Sequence, residues 1–219
     1  TVDLVSVIMP TFNRGRRMLA AVDCVLAQTW RPLELVIVDD GSTDDTPAVL
    51  QELLPRVQAA GVQANFVRQD NTGVAAARNR ALKESTGDWI SFLDDDDRWT
   101  PDKTSAQMAL VGKGGINGAC AVSLIEQSDG GFDLVPERGQ KLLQGFCPGD
   151  NIRMTRHAHL DTLLVARAAV LAAGEFDTRL KISSDIEWIM RLCHHVTWAA
   201  LPRAVHEYDR SNHAGALTH

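Results

Sequence analysis

Four consecutive carboxylates, Asp94 to Asp97, are the residues in this sequence best placed for metal-assisted chemistry. They follow a short apolar run at 89–93 that reads as a buried strand. Neighbouring like charges repel, and a divalent cation that is bound by carboxylate oxygens and carries a ligand's phosphates would compensate that repulsion. The alternative is a solvated acidic loop whose last aspartate caps a helix beginning near Pro101.

The elements that must position these aspartates alternate between strand and helix. Strands are predicted at 5–9, 33–38, 64–67 and 89–93, with helical patterns at 18–26, 46–60 and 74–82 between them. Such alternation predicts an α/β fold, with a mostly parallel, doubly wound sheet and helices on both faces. Ligands of such sheets bind beyond the carboxyl ends of the strands, so Thr11 to Asn13, Asp39-Asp40 and the aspartate run are expected on one rim.

The pattern changes after Pro101. A strand at 119–125, a hairpin or loop at 126–150, a short helix at 168–173 and a last strand at 196–201 are predicted. The segment 183–192 predicts a helix with serine caps, which places Asp185 in its first turn. The tail that contains His206 and His213 is polar and is read as a loop.

Composition limits the function classes. With 219 residues and 45% hydrophobic content, a single domain over 1–219 is the simplest organisation. The net charge of -6 gives no support for a nucleic-acid surface. The four cysteines are dispersed, which favours reduced thiols in a cytoplasmic protein. No apolar run has the roughly 20 residues of an integral membrane segment, while peripheral membrane contact stays open.

Several linked motifs, in order, resemble the GT-A glycosyltransferases of the family 2 type. The matching segments lie at 5–14, 27–30, 35–44, 71–79, 87–99 and 183–188. The first half of the chain is covered almost continuously, and the second half only at the helix of Asp185. The resemblance implies a GT-A fold, with 1–105 as the half that binds a nucleotide-sugar donor and 106–219 as the acceptor-side half.

The resemblance also implies an inverting transfer from a UDP- or dTDP-sugar to an acceptor hydroxyl. Asp94, Asp95 and Asp96 occupy the family's Asp-x-Asp motif, with Asp94 and Asp95 at the nucleotide and Asp96 on a divalent metal, Mn²⁺ or Mg²⁺. Asp185 matches the general base, although Ser184 replaces the acidic residue that often precedes it. A third metal ligand could come from the tail. His213 is preferred, and the alternatives are His206 or no third protein ligand.

The nucleotide contacts implied by the resemblance are Pro10, Thr11, Asn13, Asp40 and Arg78. Asp40 could accept from the imide N–H of uracil or thymine, or could belong to a turn and cap.

Two further groups of residues each have two possible interpretations. Trp99 and Trp188 either stack on a sugar ring or pack in the core. His157, His159 and Asp161 form either an acceptor-side cluster or ordinary polar surface.

Two other functions stay open. A sugar-phosphate nucleotidyltransferase also uses a doubly wound sheet and magnesium, but it usually has a glycine-rich loop after the first strand, where this chain has Pro10-Thr11-Phe12-Asn13. A non-catalytic nucleotide- or metal-binding module would hold an ion at the aspartate run and would leave Asp185 without a role.

Overall fold

A parallel four-stranded sheet forms the first half of the molecule. In the computed structural model, which describes residues 2–126, 132–135, 144–146 and 159–208, strands β1 to β4 pair in the order β3-β2-β1-β4. The strands are β1 (Val5–Thr11), β2 (Leu33–Asp39), β3 (Val62–Arg68) and β4 (Trp89–Phe92), and the helices between them are α1 (Leu19–Leu26), α2 (Thr46–Ala59) and α3 (Val74–Glu84). The predicted alternation is therefore confirmed, and β1 continues through Pro10 and Thr11.

Side chains that alternate along the strands build a core on each face of this sheet. Val7 and Met9 pack in one core with residues of α1 and α2, whereas Ile8 packs in the other with residues of α3. All seven residues of β1 and all seven of β2 are buried, which is the pattern of a strand covered on both faces. The doubly wound arrangement with helices on both faces is confirmed.

The second half extends the sheet with shorter and partly antiparallel strands. Its elements are β5 (Arg98–Trp99), α4 (Lys103–Met108), β6 (Gly118–Glu126), β7 (Phe132–Val135), β8 (Gly145–Phe146), β9 (Leu164–Ala166), α5 (Arg167–Ala173), α6 (Ser184–Leu192) and β10 (Thr197–Tyr208). Strand β9 runs antiparallel to both β4 and β6, and thereby joins the two halves of the sheet. Strand β10 is parallel to β6 and antiparallel to β5.

Three local predictions are corrected. The last strand does not end at 201 but continues to Tyr208, so His206 belongs to the sheet and not to a polar tail. The expected serine cap of α6 is wrong, because Ser183 at the N-cap has a left-handed backbone (φ 60) and makes no capping bond with its side chain. Asp102, not the last aspartate of the acidic run, occupies the N-cap of α4.

Among the residues that the structure describes, no helix is both long enough and apolar enough to cross a membrane.

Candidate active site

A cleft of about 260 Å³ brings the aspartate run and the base helix together. The predicted site residues that line it are Pro10, Arg78, Asp94, Asp95, Asp96 and Asp185. Arg14, Lys181 and Tyr208 also line the cleft, although the sequence analysis assigned no role to them. Two carboxylate groups that lie about ninety residues apart in the sequence therefore face the same space.

Two buried arginines neutralise much of the charge of the aspartate run. Arg14 donates from Nε to Asp95 at 2.9 Å and from Nη2 to Asp96 at 2.7 Å. Arg78 donates from Nη2 to Asp94 at 2.7 Å. The charge compensation that the sequence analysis assigned to a metal alone is thus supplied in part by the chain itself.

The pKa values of these groups show how strongly they depend on one another. Burial raises the pKa of Asp95 to about 7, while Arg14 opposes that rise. Burial by itself lowers the pKa of Arg78, but the charges of Asp94 and Asp185 outweigh it and the net pKa is raised. Arg78 is therefore a fixed cation whose charge is held by carboxylates from both sides of the cleft.

Arg14 is the main residue that sequence reasoning missed. It follows Asn13 directly and lies at the carboxyl end of β1, on the same rim as the aspartates. The sequence signal that could have identified Arg14 is a basic residue at the end of a strand whose rim also carries four carboxylates. Only the parallel pairing of β1 with β4 shows that the two segments meet.

Asp185 is held at the cleft by a well-packed helix. It lies in the first turn of α6 and is partly buried. The fully buried Trp188 anchors this helix, because its indole Nε1 donates to the carbonyl oxygen of Gly174 at 2.8 Å and its ring stacks on Phe176. Trp188 is thus a core residue, and the same is true of the buried Trp99.

Thr11, Asn13 and Asp40 do not line the cleft. Asn13 and Asp40 instead support loops at the rim. Asn13 adopts a left-handed backbone (φ 53), and its side-chain oxygen accepts from the backbone N–H of Thr43 at 2.7 Å. Thr11 is fully buried.

The carboxylate of Asp40 is also fully buried and holds the loop that precedes α3. It accepts from Gln69 Nε2 at 2.7 Å, from the backbone N–H of Thr72 at 3.0 Å and from that of Gly73 at 2.8 Å. The nucleotide contacts assigned to Asp40, Thr11 and Asn13 stay predictions.

The cleft continues towards the loop that Asp40 holds. A second cavity of about 270 Å³ shares Val74 and Lys181 with the first and is also lined by Asn71, Thr72 and Gly73. Together they form a groove from the aspartate run to the 71–73 loop.

At the back of the cleft, the buried residues Asp97, Asp161 and His206 form a cluster with His159, which is partly buried and also lines the cleft. His206 Nε2 lies 2.7 Å from Asp97 Oδ2 and 3.4 Å from Asp161 Oδ2, and its Nδ1 lies 3.0 Å from Ser123 Oγ. The surface interpretation of Asp161 is wrong, because its side chain is buried. His157 and His213 lie outside the described residues.

The members of this cluster shift one another's pKa values. Burial alone would lower the pKa of His206, but Asp161 and Asp97 raise it to about 9. Burial raises the pKa of Asp97 to about 9, with His206 opposing. Burial would also raise the pKa of Asp161, but its bonds to His206 outweigh burial and lower it.

Comparison with known proteins identifies the family of this chain. The profile described as "Glycosyl transferase family 2" matches residues 6–162. The chain belongs to glycosyl transferase family 2. The expected family and the expected GT-A fold are both confirmed.

Curated relatives of the family 2 chain include two bacterial proteins that are named as biosynthesis glycosyltransferases. It is 34% identical over 139 residues, 64% of its length, to a protein named as the teichuronic acid biosynthesis glycosyltransferase TuaG of Bacillus subtilis, and covers 50% of that protein. It is 33% identical over 107 residues, 48% of its length, to the amylovoran biosynthesis glycosyltransferase AmsB of Erwinia amylovora, of which it covers 35%. The family 2 chain thus spans half or less of these relatives.

Solved structures show the same fold at low identity. S. aureus TarS (1-349) in complex with UDP-GlcNAc superposes on 99% of the family 2 chain with a TM-score of 0.74 at 16% identity, and 60% of that chain is covered. The mannosyltransferase PcManGT from Pyrobaculum calidifontis, in complex with GDP-Man and Mn²⁺, superposes on 96% with a TM-score of 0.71 at 19% identity, and 58% of it is covered.

Proposed function

We propose that this domain is an inverting glycosyltransferase that moves a sugar from a UDP- or dTDP-sugar to an acceptor hydroxyl. The observation that carries the proposal is the shared cleft of Asp94, Asp96 and Asp185. Family membership supports the reaction class. Neighbours of the same fold have been solved with UDP-GlcNAc and with GDP-Man and Mn²⁺, which supports a nucleotide-sugar donor.

The donor set of the cleft fits a hard divalent cation. Asp94 and Asp96 offer carboxylate oxygens, and their side chains are 37% and 17% exposed although each also pairs with an arginine. Mg²⁺ and Mn²⁺ prefer oxygen ligands and need only one or two carboxylates when substrate phosphates complete the site. When bound, such an ion stabilises the negative charge that develops on the departing diphosphate.

The residues of the chain then have distinct roles. The carboxylate of Asp185 takes the proton of the acceptor hydroxyl while that oxygen attacks the anomeric carbon. The bond from the anomeric carbon to the nucleoside diphosphate breaks in the same step, which inverts the configuration. Arg14 and Arg78 hold the aspartates in place, and Lys181 offers a cation at the middle of the groove.

The preference for uracil or thymine depends on Asp40. Because its carboxylate already accepts from Gln69, Thr72 and Gly73, a base contact must add to these bonds or replace one of them. The groove that reaches the 71–73 loop supports a base position there.

Calorimetry with UDP, dTDP, GDP and CDP, each with and without Mn²⁺, tests the donor assignment. We expect metal-dependent binding of a uridine or thymidine diphosphate, and its loss in Asp96→Ala. Metal-dependent binding of GDP or CDP alone would disprove the base assignment to Asp40. Binding of none of the four would disprove the donor site as a whole.

Donor turnover tests the catalytic assignment. Asp185→Asn should bind the nucleotide as the wild type does and lose turnover by about 10²-fold or more, because general-base catalysis contributes 10²–10⁴-fold. Glu187→Gln, on the same helix but paired with Arg191, is the matched control and should keep turnover. Release of pyrophosphate from a nucleoside triphosphate would instead indicate a nucleotidyltransferase, and nucleotide binding without any turnover would indicate a binding module.

A further inference from the structure

The cluster of Asp97, His159, Asp161 and His206 at the back of the cleft has the dimensions of a metal site. One ligand atom each from Asp97, His159, Asp161 and His206 lies within 4.8 Å of the other three. A regular tetrahedron with edges of that length has its centre about 2.9 Å from each corner, and Zn²⁺ binds nitrogen and oxygen at about 2.0–2.2 Å. No ligand atom therefore has to move inward by more than about 1 Å, whereas His206 Nε2 and Asp97 Oδ2, now 2.7 Å apart, have to separate.

An unsatisfied acceptor provides a second, independent observation. Asp161 Oδ1 is buried and makes no hydrogen bond within the described part of the chain. An isolated buried carboxylate oxygen costs free energy unless a donor or a cation reaches it. Asp97 and Asp161 bring two carboxylates against two imidazoles, and a divalent cation bound to this set would make the whole site neutral.

The ring of His206 is oriented as metal-binding histidines usually are. Its Nδ1 pairs with Ser123 Oγ at 3.0 Å, and its Nε2 points between Asp97 and Asp161. An outer hydrogen bond of this kind fixes the ring and leaves the other nitrogen for the metal. His206 lies in β10 and Ser123 in β6, two paired strands, so the support is rigid.

We propose that Asp97, His159, Asp161 and His206 bind a Zn²⁺ ion at a site separate from the donor-metal position at Asp96. Two imidazole nitrogens with two carboxylate oxygens suit Zn²⁺ better than Mg²⁺ or Mn²⁺, which prefer oxygen alone. The two sites are distinct because Asp96 pairs with Arg14 in the cleft, whereas Asp97 pairs with His206 behind it. Bound Zn²⁺ would tie the aspartate loop to β10.

Cobalt titration of the wild-type protein tests this site directly. The protein is stripped with a chelator, and Co²⁺ is added in the presence of excess Mg²⁺, which occupies the oxygen-only donor site. We expect one equivalent of Co²⁺ to bind with the visible absorption of tetrahedral coordination, and one equivalent of Zn²⁺ to displace it. Absence of this signal in the folded wild type would overturn the proposal.

Variants locate the bound ion. Asp161→Asn and His206→Gln should each weaken Zn²⁺ binding by about 100-fold or more, and circular dichroism confirms that the variants are folded. Asp96→Ala should keep the Co²⁺ spectrum, as should His194→Gln, in which an exposed histidine is replaced. A spectrum lost in Asp96→Ala, or retained in a folded Asp161→Asn protein, would overturn the proposal. The nucleotide calorimetry is independent of either result.

Discussion

Replacing Arg14 by methionine should destabilise the protein far more than the same change at Arg16. Both arginines make an ion pair at 2.9 Å, but the side chain of Arg14 is 5% exposed and that of Arg16 is 65% exposed. Arg14→Met leaves the buried Asp95 and the partly buried Asp96 without their counter-ion, and breaking a buried pair costs about 3–5 kcal/mol. Arg16→Met breaks a surface pair, which is worth about 0–1 kcal/mol.

The loss at Arg14 should also depend on pH. The pKa of Asp95 is about 7 in the folded wild type, above its ordinary value, so ionisation of Asp95 already weakens the fold as pH rises towards 7. Without Arg14 this pKa rises further, and the weakening continues to higher pH. The difference in unfolding free energy between wild type and variant should therefore be about 1 kcal/mol larger at pH 8 than at pH 6, because one proton corresponds to about 1.4 kcal/mol per pH unit.

Urea unfolding at both pH values measures these free energies, and thermal unfolding provides a second readout. For a chain of this size, a loss of 3–5 kcal/mol lowers the melting temperature by about 6–20 °C. Equal stabilities of the Arg14→Met and Arg16→Met proteins would refute the assignment of Arg14 as the buried counter-ion. A loss at Arg14 that does not change with pH would refute the coupling to Asp95.

Three further changes test other parts of the structure by urea unfolding. Asp40→Asn replaces an oxygen acceptor by an amide donor in a group that accepts three hydrogen bonds, and should lower the free energy of unfolding by about 1–3 kcal/mol. The control Asp70→Asn changes an exposed residue and should have no effect. Similar free energies for the two variants would contradict the role of Asp40 in holding the loop. Gly87→Ala places a Cβ 2.7 Å from a backbone oxygen, whereas Gly61→Ala has open space but a left-handed backbone. Gly87→Ala should therefore lower the free energy of unfolding more than Gly61→Ala does. The reverse order would contradict the close packing around Gly87. Burial lowers the pKa of Lys103 from 10.5 to about 7, so above pH 7 the unfolded chain binds a proton that the folded chain has lost. The stability of the wild type relative to Lys103→Met should therefore rise by about 2–3 kcal/mol from pH 7 to pH 9. A stability difference that does not change with pH would show that Lys103 stays charged in the folded protein.

The sequence was sufficient for the first half of the fold because the information there is local. Apolar runs such as Leu33–Asp39 are short, rich in branched residues and bounded by turns, and buried parallel strands have that pattern. Helical spacing between the runs then leaves few topologies, because crossovers are right-handed. The second half was predicted less well because its strands are short and polar residues such as His206 lie inside the sheet.

For the candidate site, the sequence predicted which carboxylates share a cleft but not what surrounds them. Asp94 to Asp96 and Asp185 were recognised by type, by motif and by their positions at the ends of elements, and they do line one cleft. Arg78 was also predicted at the site, but the sequence did not predict that Arg14 and Arg78 form ion pairs with these aspartates. Arg14 meets Asp95 across 81 residues, and no local pattern specifies such a contact.

By itself, the sequence determined the alternating elements, the family and the position of the acidic rim, because hydrophobic periodicity and contiguous motifs are written along the chain. Only the tertiary structure decided which charges are paired. It buried His206 by pairing β10 with β6, which set its imidazole between Asp97 and Asp161. The physical reason is that a polar side chain can be buried only where partners from distant segments satisfy it, and those partners are known only once the strands have paired.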